Sequence, residues 1–382
     1  MSQAVFKREN GVLTYADGTA FGDVASATDL PFLLQGLGVA NPLIVSGGGL
    51  SRSGVVREMA RHRMPFVHFN GFTPNPTAEQ VQAGLQAFRE GECDGIVSIG
   101  GGSAIDVAKA IKAMGATDAS LPVLERLTHP MPLAVPHVAM PTTAGTGSEA
   151  THFATIYING KKYSVADAAL LPEAAILDAA QLASLPVYER SATFMDALCH
   201  SIESYWSVRS SEESRAYARQ AIQILVSSGD DYLAGDEAVA EAVLAASHLA
   251  GRAINLTTTT AAHAMCYQLT SLYGLSHGHA AAECLPAAWQ MLLRAAESDA
   301  ALHERLTSLA GILQGQESAD ADSGLAAFMA IKEQAKLPVD WRPRDDSDIP
   351  LLASSVNVQR LSNFPMTLSE ADLITMYRVV LG

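Results

Sequence analysis

The stretch Gly95 to Met114, GIVSIGGGSAIDVAKAIKAM, combines three structural signals. The apolar run 95–99 predicts a buried strand, the glycines 100–102 predict a tight turn, and the segment 103–114 predicts a helix. Glycines directly before a helix let backbone N–H groups approach an anion, and the positive end of the helix dipole adds to the attraction. This stretch therefore indicates an α/β fold with an anion site at the end of a strand.

The order of strand, turn and helix recurs on both sides of this stretch. Apolar runs at 42–46, 65–69 and 135–140 predict further strands, and a helix is expected to begin near Thr77. Repeated strand–turn–helix units are typical of a parallel sheet, whose ligands bind beyond the carboxyl ends of the strands.

The second half of the chain has a different composition. From about Pro186 it is rich in Ala and Leu at helical spacing, as in EAVLAASHLAGRAI, and strand signals disappear. At 382 residues the chain is long enough for two domains of about 150 residues each. We therefore predict an α/β domain over residues 1–185 and an all-helical domain over residues 186–382.

Composition excludes several classes of function. The net charge of −15 argues against a nucleic-acid-binding protein, which needs a cationic face, and the 48% hydrophobic content excludes a disordered chain. No apolar stretch approaches the ~20 residues of a membrane helix. The first ten residues, MSQAVFKREN, lack the apolar core of a signal peptide, so we expect a cytoplasmic protein. The cysteines show no metal-binding or disulfide spacing and are expected to be reduced: Cys93, Cys199, Cys266 and Cys284.

A second polar turn, PTTAGTGSE at 141–149, directly follows the 135–140 strand. Its hydroxyl groups fit either a phosphate site or a network that caps the next helix. Two such turns at successive strand ends favour a bound nucleotide. Neither turn matches the GxGxxG dinucleotide pattern or the P-loop pattern.

The helical half contains a candidate set of metal ligands. Asp196 and His200 are four residues apart and so share one face of a helix, and His263 and His277 follow. One carboxylate with three imidazoles suits Fe²⁺ or Zn²⁺, and the same ligands serve both metals. The alternative is that each histidine is an ordinary hydrogen-bonded residue. The other histidines considered are expected to be structural or to lie behind the ligands: His137, His152 and His279.

Taken together, GGGSAIDVAK, PTTAGTGSE, DALCHSIESYWS and AAHAMCYQLTSLYGLSHG resemble the iron-containing (group III) alcohol dehydrogenases. The motifs occur in the same order as in that family, from about residue 42 to 290. The resemblance implies a dehydroquinate-synthase-like fold, with a dinucleotide-binding domain over residues 1–185 and a metal-binding catalytic domain over residues 186–382. A metal ion, a nicotinamide cofactor and a homodimer or larger homo-oligomer are implied as well. The resemblance further implies that the metal polarises the carbonyl of a small aldehyde while the nicotinamide delivers hydride.

The resemblance also assigns roles to residues that match the motifs of the family. The metal ligands implied are Asp196, His200, His263 and His277. The cofactor residues implied are Gly101, Gly102 and Ser103 at the pyrophosphate, Thr142, Thr143 and Thr146 beside the nicotinamide, and Lys161 or Lys162 at the ribose. Asp106, in the first turn of the 103–114 helix, is expected to add a polar contact to the cofactor.

Two positions depart from the pattern of the family. Tyr267 occupies the position, four after the third ligand, at which many members carry a proton-relaying histidine. Tyr267, His279 or water is expected to carry the proton instead, although tyrosine is a poor shuttle at neutral pH. Gly47 occupies the position at which an aspartate usually accepts from the adenosine ribose. Loss of that carboxylate favours NADPH over NADH, with donors expected from 51–53.

Within the family, FTPNPTAEQVQAGL, GSEATHFATIYINGKKYSV, ESRAYARQA and LAGRAINLTTTTAAHAM look like the phosphonoacetaldehyde reductases of phosphonate metabolism. A dianionic substrate needs local cations in so acidic a protein, and Arg215, Arg252 and Lys161 are the candidates. The alternative is that both arginines are solvated or lie in an interface. Other readings are a general short-chain alcohol or lactaldehyde dehydrogenase, a polyol-phosphate dehydrogenase, a dehydroquinate-synthase-type lyase and a nucleotide sensor without activity.

Overall fold

The computed structural model divides the chain into two compact units. Unit 1 comprises residues 1–143 and 147–184, and unit 2 comprises residues 144–146 and 185–382. The ranges that the structure describes are 4–9 and 12–15 as backbone strands, and 26–117, 121–342, 346–356 and 361–382 with side chains.

Unit 1 is built around a mainly parallel sheet. Its strands are β1 (Ala4–Glu9), β2 (Val12–Tyr15), β3 (Pro42–Ser46), β4 (Val67–Phe69), β5 (Gly95–Gly100), β6 (His137–Pro141), β7 (Phe153–Ile158), β8 (Lys161–Ala166) and β9 (Ala174–Ala175). Its helices are α1 (Leu30–Gly36), α2 (Val55–Arg61), α3 (Ala78–Glu90), α4 (Gly102–Met114) and α5 (Val123–Thr128).

The sheet has the strand order β2-β1-β9-β6-β5-β3-β4, in which only β2 is antiparallel to its neighbour. The central strands are continuous apolar runs because helices and loops cover both faces of the sheet. The predicted strands and helices recur close to their expected bounds, and Thr77 forms the capping box of α3 with Gln80. The predicted strand at 65–69 is shorter, since only Val67–Phe69 pairs with β3.

From the sequence, Lys161 and Lys162 are expected in a linker after the 141–149 turn; the structure corrects this, because the segment that contains them is a strand. Both lysines begin β8, which pairs antiparallel with β7 to form a separate hairpin. The hairpin turns at Asn159 and Gly160, whose φ angles are 51° and 74°. Asn-Gly is the strongest short-range sequence signal for a hairpin, because both residues readily adopt positive φ angles. The sequence therefore contained a signal for this hairpin.

In the described part of unit 2, the regular secondary structure consists of helices joined by loops. Its helices are α6 (Val187–Trp206), α7 (Glu212–Ala234), α8 (Ala240–Thr257), α9 (Ala261–Tyr273), α10 (His277–Ala296), α11 (Ala300–Leu313), α12 (Ala321–Gln334), α13 (Ile349–Ser355) and α14 (Glu370–Leu381). Trp206 of α6 and Trp289 of α10 meet edge to face in the core, with ring centroids 5.3 Å apart. The predicted architecture, an α/β half followed by an all-helical half, is confirmed.

The break between the units, at 184–185, is one residue from the domain boundary that the sequence predicts. The roles predicted for the two domains stay predictions. Among the described helices, none is long and apolar enough to cross a membrane.

Candidate metal centre

Three helices of unit 2 bring a carboxylate and two imidazoles together. Asp196 lies in the middle of α6, His263 in the first turn of α9, and His277 at the first position of α10. One ligand atom from each residue lies within 4.8 Å of the other two. Asp196 and His263 are fully buried and His277 is half-buried, so a group bound here is largely shielded from water.

His200, the fourth predicted ligand, lies beside this group of three. One helical turn after Asp196, its ring stacks on that of His263 with centroids 4.4 Å apart. Its Nε2 atom is 3.9 Å from Asp196 Oδ1, and its Nδ1 atom is 3.3 Å from the carbonyl oxygen of Gly145. All four predicted ligands therefore lie together in the core of unit 2.

Gly278 allows α10 to begin against α6. A Cβ atom at this position would lie 2.0 Å from the carbonyl oxygen of Ala192 and 2.6 Å from Asp196 Cβ. Any larger residue would push the helices apart, so the glycine sets the approach of His277 to Asp196.

Glu203, a residue that the sequence patterns did not point to, holds His263 in place through a hydrogen bond at Nδ1. Its buried carboxylate accepts hydrogen bonds from His263 Nδ1, the Thr260 hydroxyl and the backbone N–H groups of Thr260 and Ala262. It thus holds the ring of His263 and satisfies buried N–H groups at the start of α9 that have no partner within the helix. Glu203 is seven residues after Asp196 and three after His200, so helical spacing places it on the same face of α6.

The arrangement of atoms fits a bound cation. Glu203 holds Nδ1 of His263, and Nε2 of that ring faces Asp196 Oδ1 at 3.3 Å. Nε2 of His200 faces the same oxygen. Lone pairs that converge in this way repel one another unless a proton or metal ion lies among them. A carboxylate with nitrogen ligands is a donor set that Fe²⁺ and Zn²⁺ accept.

The pKa shifts of the buried groups agree with a site that stabilises a cation between carboxylates. Burial alone would lower the pKa of His263, but the Glu203 and Asp196 carboxylates outweigh it and raise that pKa to about 9. Burial would raise the pKa of Asp196 and of Glu203, but the neighbouring imidazoles hold both pKa values below the usual range. The site therefore keeps its carboxylates ionised and stabilises positive charge.

The two candidate proton-transfer residues occupy different surroundings. The Tyr267 ring stacks on His277, with centroids 5.5 Å apart and planes 12° from parallel. His279, two residues after His277, is fully buried; its Nδ1 atom contacts the Tyr188 hydroxyl, and its Nε2 atom lies 3.6 Å from Glu283. Tyr267 thus contacts the group of ligands directly, whereas the described contacts of His279 are with residues outside it.

In unit 1, the first predicted phosphate-binding turn and the start of the second, residues 141–143, lie at the same edge of the sheet. Gly100 at the end of β5 is in register with Pro141 at the end of β6, and Thr142 N–H donates to the Gly100 carbonyl. A Cβ atom on Gly101 would lie 3.3 Å from Thr143 Cγ2. Among the described residues, the buried Thr143 hydroxyl has no hydrogen-bond partner.

These turns fit the phosphates of a nucleotide. The α4 helix begins at Gly102 and Ser103, and its N-cap, Gly101, supplies no side-chain cap. The first N–H groups of α4 and the unsatisfied Thr143 hydroxyl are donors suited to an anion. At the end of β3, a Cβ atom on Gly47 would meet no atom within 4 Å, so the space there is open.

Asp106 and Lys109 fix the polar 141–149 turn and the residues after it through hydrogen bonds. The Asp106 carboxylate accepts from the Ser148 hydroxyl and from Thr155 N–H, so both of its oxygens have protein partners. The buried Lys109 ammonium donates to the Ser148 carbonyl and the Thr151 hydroxyl. Burial lowers the pKa of Lys109 to about 8, against the pull of the Asp106 and Glu149 carboxylates. The described contacts of Asp106 are thus with the protein, and its predicted contact with the cofactor stays a prediction.

The remaining predicted residues lie apart from the ligands or on other elements. Thr146 belongs to the 144–146 segment of unit 2. Arg215 donates to the Ser210 carbonyl and hydroxyl oxygens, and Arg252 stacks on the Tyr217 ring at 4.2 Å. Lys161 is exposed at the start of β8. The described contacts do not bring either arginine to the metal ligands.

A glycine-rich strand end suited to phosphates and a buried carboxylate–imidazole cluster suited to a metal ion are features that metal-dependent, nucleotide-linked oxidoreductases combine. The family model for iron-containing alcohol dehydrogenases matches residues 19–179, and the model for the C-terminal part of that family matches residues 190–379. The chain belongs to the iron-containing alcohol dehydrogenase family.

Named relatives in this family differ in their substrates. The probable alcohol dehydrogenase EutG of Salmonella typhimurium is 30% identical, over 90% of this chain and 88% of its own. The phosphonoacetaldehyde reductase of Streptomyces viridochromogenes is 37% identical over 56% of each chain. The NAD-dependent methanol dehydrogenase of Bacillus methanolicus is 33% identical over 64% of this chain, and the match spans 66% of the methanol dehydrogenase.

Solved structures share the whole architecture. The crystal structure of a 1,3-propanediol oxidoreductase superposes with a TM-score of 0.85, with 25% identity and complete coverage of both chains. The sulfoacetaldehyde reductase of Bifidobacterium kashiwanohense, solved with NAD⁺, has a TM-score of 0.83 and 26% identity over 93% of this chain and 95% of its own.

Proposed function

We propose that this protein is a metal-dependent, NAD(P)H-linked aldehyde reductase that converts phosphonoacetaldehyde to 2-hydroxyethylphosphonate. The observation that carries the proposal is the buried cluster of Asp196, His263 and His277, with His200 beside it. The family supports the class of reaction. The phosphonoacetaldehyde and sulfoacetaldehyde reductases among its relatives support a small aldehyde that carries an anionic group.

In this mechanism the protein supplies position and charge. When bound, the metal acts as a Lewis acid on the carbonyl oxygen, and the reduced nicotinamide supplies hydride. Asp196, His200, His263 and His277 would hold the metal, while Glu203 orients His263. The first turn of α4 and Thr143 would bind the phosphates of the cofactor. Tyr267, stacked on His277, is the nearer candidate for delivering a proton to the product oxygen.

The substrate is tested by comparing phosphonoacetaldehyde with acetaldehyde and lactaldehyde in metal-replete enzyme. We expect kcat/KM for the phosphonate to exceed the others by more than ~100-fold, which is about 2.7 kcal/mol of transition-state binding from the anionic group. Arg215→Ala and Arg252→Ala, tested separately, are expected to lower kcat/KM for the phosphonate while leaving acetaldehyde unchanged. Equal rates with all three aldehydes would support a general short-chain alcohol dehydrogenase, in keeping with the methanol dehydrogenase relative.

We also propose that NADPH is preferred over NADH. Among the described residues the space at Gly47 is open, position 47 itself carries no carboxylate, and the neighbouring Ser51 and Arg52 are exposed. Ser53 is buried and its hydroxyl donates to the Leu50 carbonyl, so Ser51 and Arg52 are the donors available to a 2′-phosphate. We expect kcat/KM for NADPH to exceed that for NADH by about 10-fold or more, and Arg52→Ala to reduce the ratio. A strong preference of the wild type for NADH would contradict the proposal.

The roles of the two domains belong to the same proposal. Residues 1–185 would bind the dinucleotide and residues 186–382 would hold the metal and the substrate. Assembly into a homodimer or larger homo-oligomer is likewise proposed.

A further inference from the structure

Two of the imidazoles at the metal centre are fixed through their Nδ1 atoms. Nδ1 of His263 donates to the Glu203 carboxylate, and Nδ1 of His200 faces the Gly145 carbonyl oxygen at 3.3 Å. A neutral imidazole carries one N–H, so an acceptor at Nδ1 places the proton there and leaves the lone pair on Nε2. Both rings therefore offer Nε2 to a metal, and their orientation is held from behind.

At His277 the group beside Nδ1 is a thiol. Cys266 Sγ lies 3.5 Å from this nitrogen, and Cys266 is fully buried on α9, three residues after His263. The same sulfur lies 3.4 Å from the backbone carbonyl oxygen of His263, which can only accept, so the thiol donates its hydrogen there. Because a thiol has one hydrogen, its sulfur faces His277 with lone pairs and acts as an acceptor.

We propose that Cys266 is a positioning residue for His277: its sulfur accepts the Nδ1–H hydrogen bond, which fixes the ring and leaves Nε2 for the metal. This inference rests on the metal centre proposed above. The next residue, Tyr267, stacks on the face of the same ring. Adjacent positions of α9 thus hold His277 by its edge and by its face, and α9 also contributes His263.

The contact between its sulfur and the His277 imidazole distinguishes Cys266 from the other buried cysteines of unit 2. Cys199 and Cys284 are also fully buried, but no described hydrogen bond joins their sulfur atoms to an imidazole. Sulfur is a weaker acceptor than the carboxylate on His263. We therefore expect a smaller loss of metal affinity from removing Cys266 than from removing the carboxylate of Glu203.

The test is the affinity of the metal-free protein for Co²⁺, measured by competition with a chelator and by the visible absorption of the bound ion. Cys266→Ala removes the acceptor and is expected to raise the Kd for Co²⁺ by about 10-fold. Cys266→Ser keeps an oxygen acceptor and is expected to recover at least part of the affinity. Cys284→Ala is the matched control, because it removes a buried sulfur of the same unit and should leave the Kd unchanged.

Thermal unfolding of the metal-free variants separates packing from positioning. Both alanine variants lose buried sulfur and should lower Tm to a similar extent, whereas only Cys266→Ala should weaken Co²⁺ binding. If Cys266→Ala does not fold, Cys266→Val fills the space without an acceptor, and the same weakening is expected. Unchanged affinity in the variant without an acceptor, or equal weakening in the Cys284→Ala control, overturns the inference. Failure of the wild type to bind Co²⁺ would instead overturn the metal centre itself.

Discussion

The alanine variant of His263 is expected to lose its metal and to lower kcat/KM for aldehyde reduction by ~1000-fold or more. Loss of a residue that only orients a ligand costs 10- to 100-fold in affinity or activity, so loss of the ligand itself should cost more. Removal of His263 also leaves the Asp196 and Glu203 carboxylates, which contact opposite nitrogens of its ring, buried without the cation that their charges favour. We therefore expect the variant to be destabilised as well as inactive.

A second variant distinguishes loss of metal from loss of fold. His277 is half-buried, and besides facing Asp196 its ring contacts the Cys266 thiol and the Tyr267 ring. His277→Ala should therefore remain folded while binding metal poorly. His303→Ala, an exposed position on α11, is the control and should keep full activity. The measurements are the metal content per chain, kcat/KM and Tm. Full metal content in both His263→Ala and His277→Ala would contradict the proposed ligand set.

The strands and the candidate metal ligands could be predicted from the sequence because each rests on a local pattern. Continuous apolar runs identified β3, β5 and β6, and the spacing of Asp196 and His200 placed them on one helix face. The hairpin of β7 and β8 also carried a local signal, Asn159-Gly160, but its strands mix polar and apolar residues and resembled a connecting loop.

The supporting residues were harder to predict because their partners are distant in the sequence. Glu203 accepts from groups 57 to 60 residues further along the chain, and Lys109 donates to groups 39 to 44 residues away. A buried charge is stable only when such partners surround it, and the sequence does not indicate which ones do. Arg252 shows the same limit, since its contact with Tyr217, 35 residues earlier in the chain, has no local signal in the sequence.

Replacing Glu203 by glutamine is expected to weaken metal binding 10- to 100-fold while preserving much of the fold. The glutamine oxygen can still accept from the Thr260 and Ala262 N–H groups at the start of α9. Its NH₂ group, however, cannot accept from Nδ1 of His263. The ring must then turn or move its proton to Nε2, which removes the lone pair needed by the metal.

Glu203→Ala separates the two roles of this carboxylate. It leaves both the N–H groups of α9 and the His263 ring without their acceptor, so we expect about 3 kcal/mol of destabilisation in addition to weak metal binding. Glu283→Gln is the control, because Glu283 is another buried carboxylate, paired with Lys332 and Arg342, whose loss should lower Tm without changing metal affinity. Equal metal affinity in Glu203→Gln and the wild type, measured by calorimetric titration, would show that His263 needs no support from Glu203.

The pH dependence of stability gives an independent check on Glu203. Its pKa in the folded protein is below the ordinary value of 4.5, because the His263 imidazole and the Thr260 hydroxyl outweigh the effect of burial. A depressed carboxyl pKa means that the folded state binds fewer protons, so the stabilisation is complete above about 4.5 and is lost as the pH falls through the folded-state pKa. The difference in unfolding free energy between metal-free wild type and Glu203→Gln should therefore be largest between about pH 4.5 and 6.5. It should shrink in acid as Glu203 is protonated, and shrink again as the pH rises towards about 9, where His263 loses its proton. A difference that stayed constant down to the acid limit of folding would show that the Glu203 carboxylate does not stabilise the folded state through its charge.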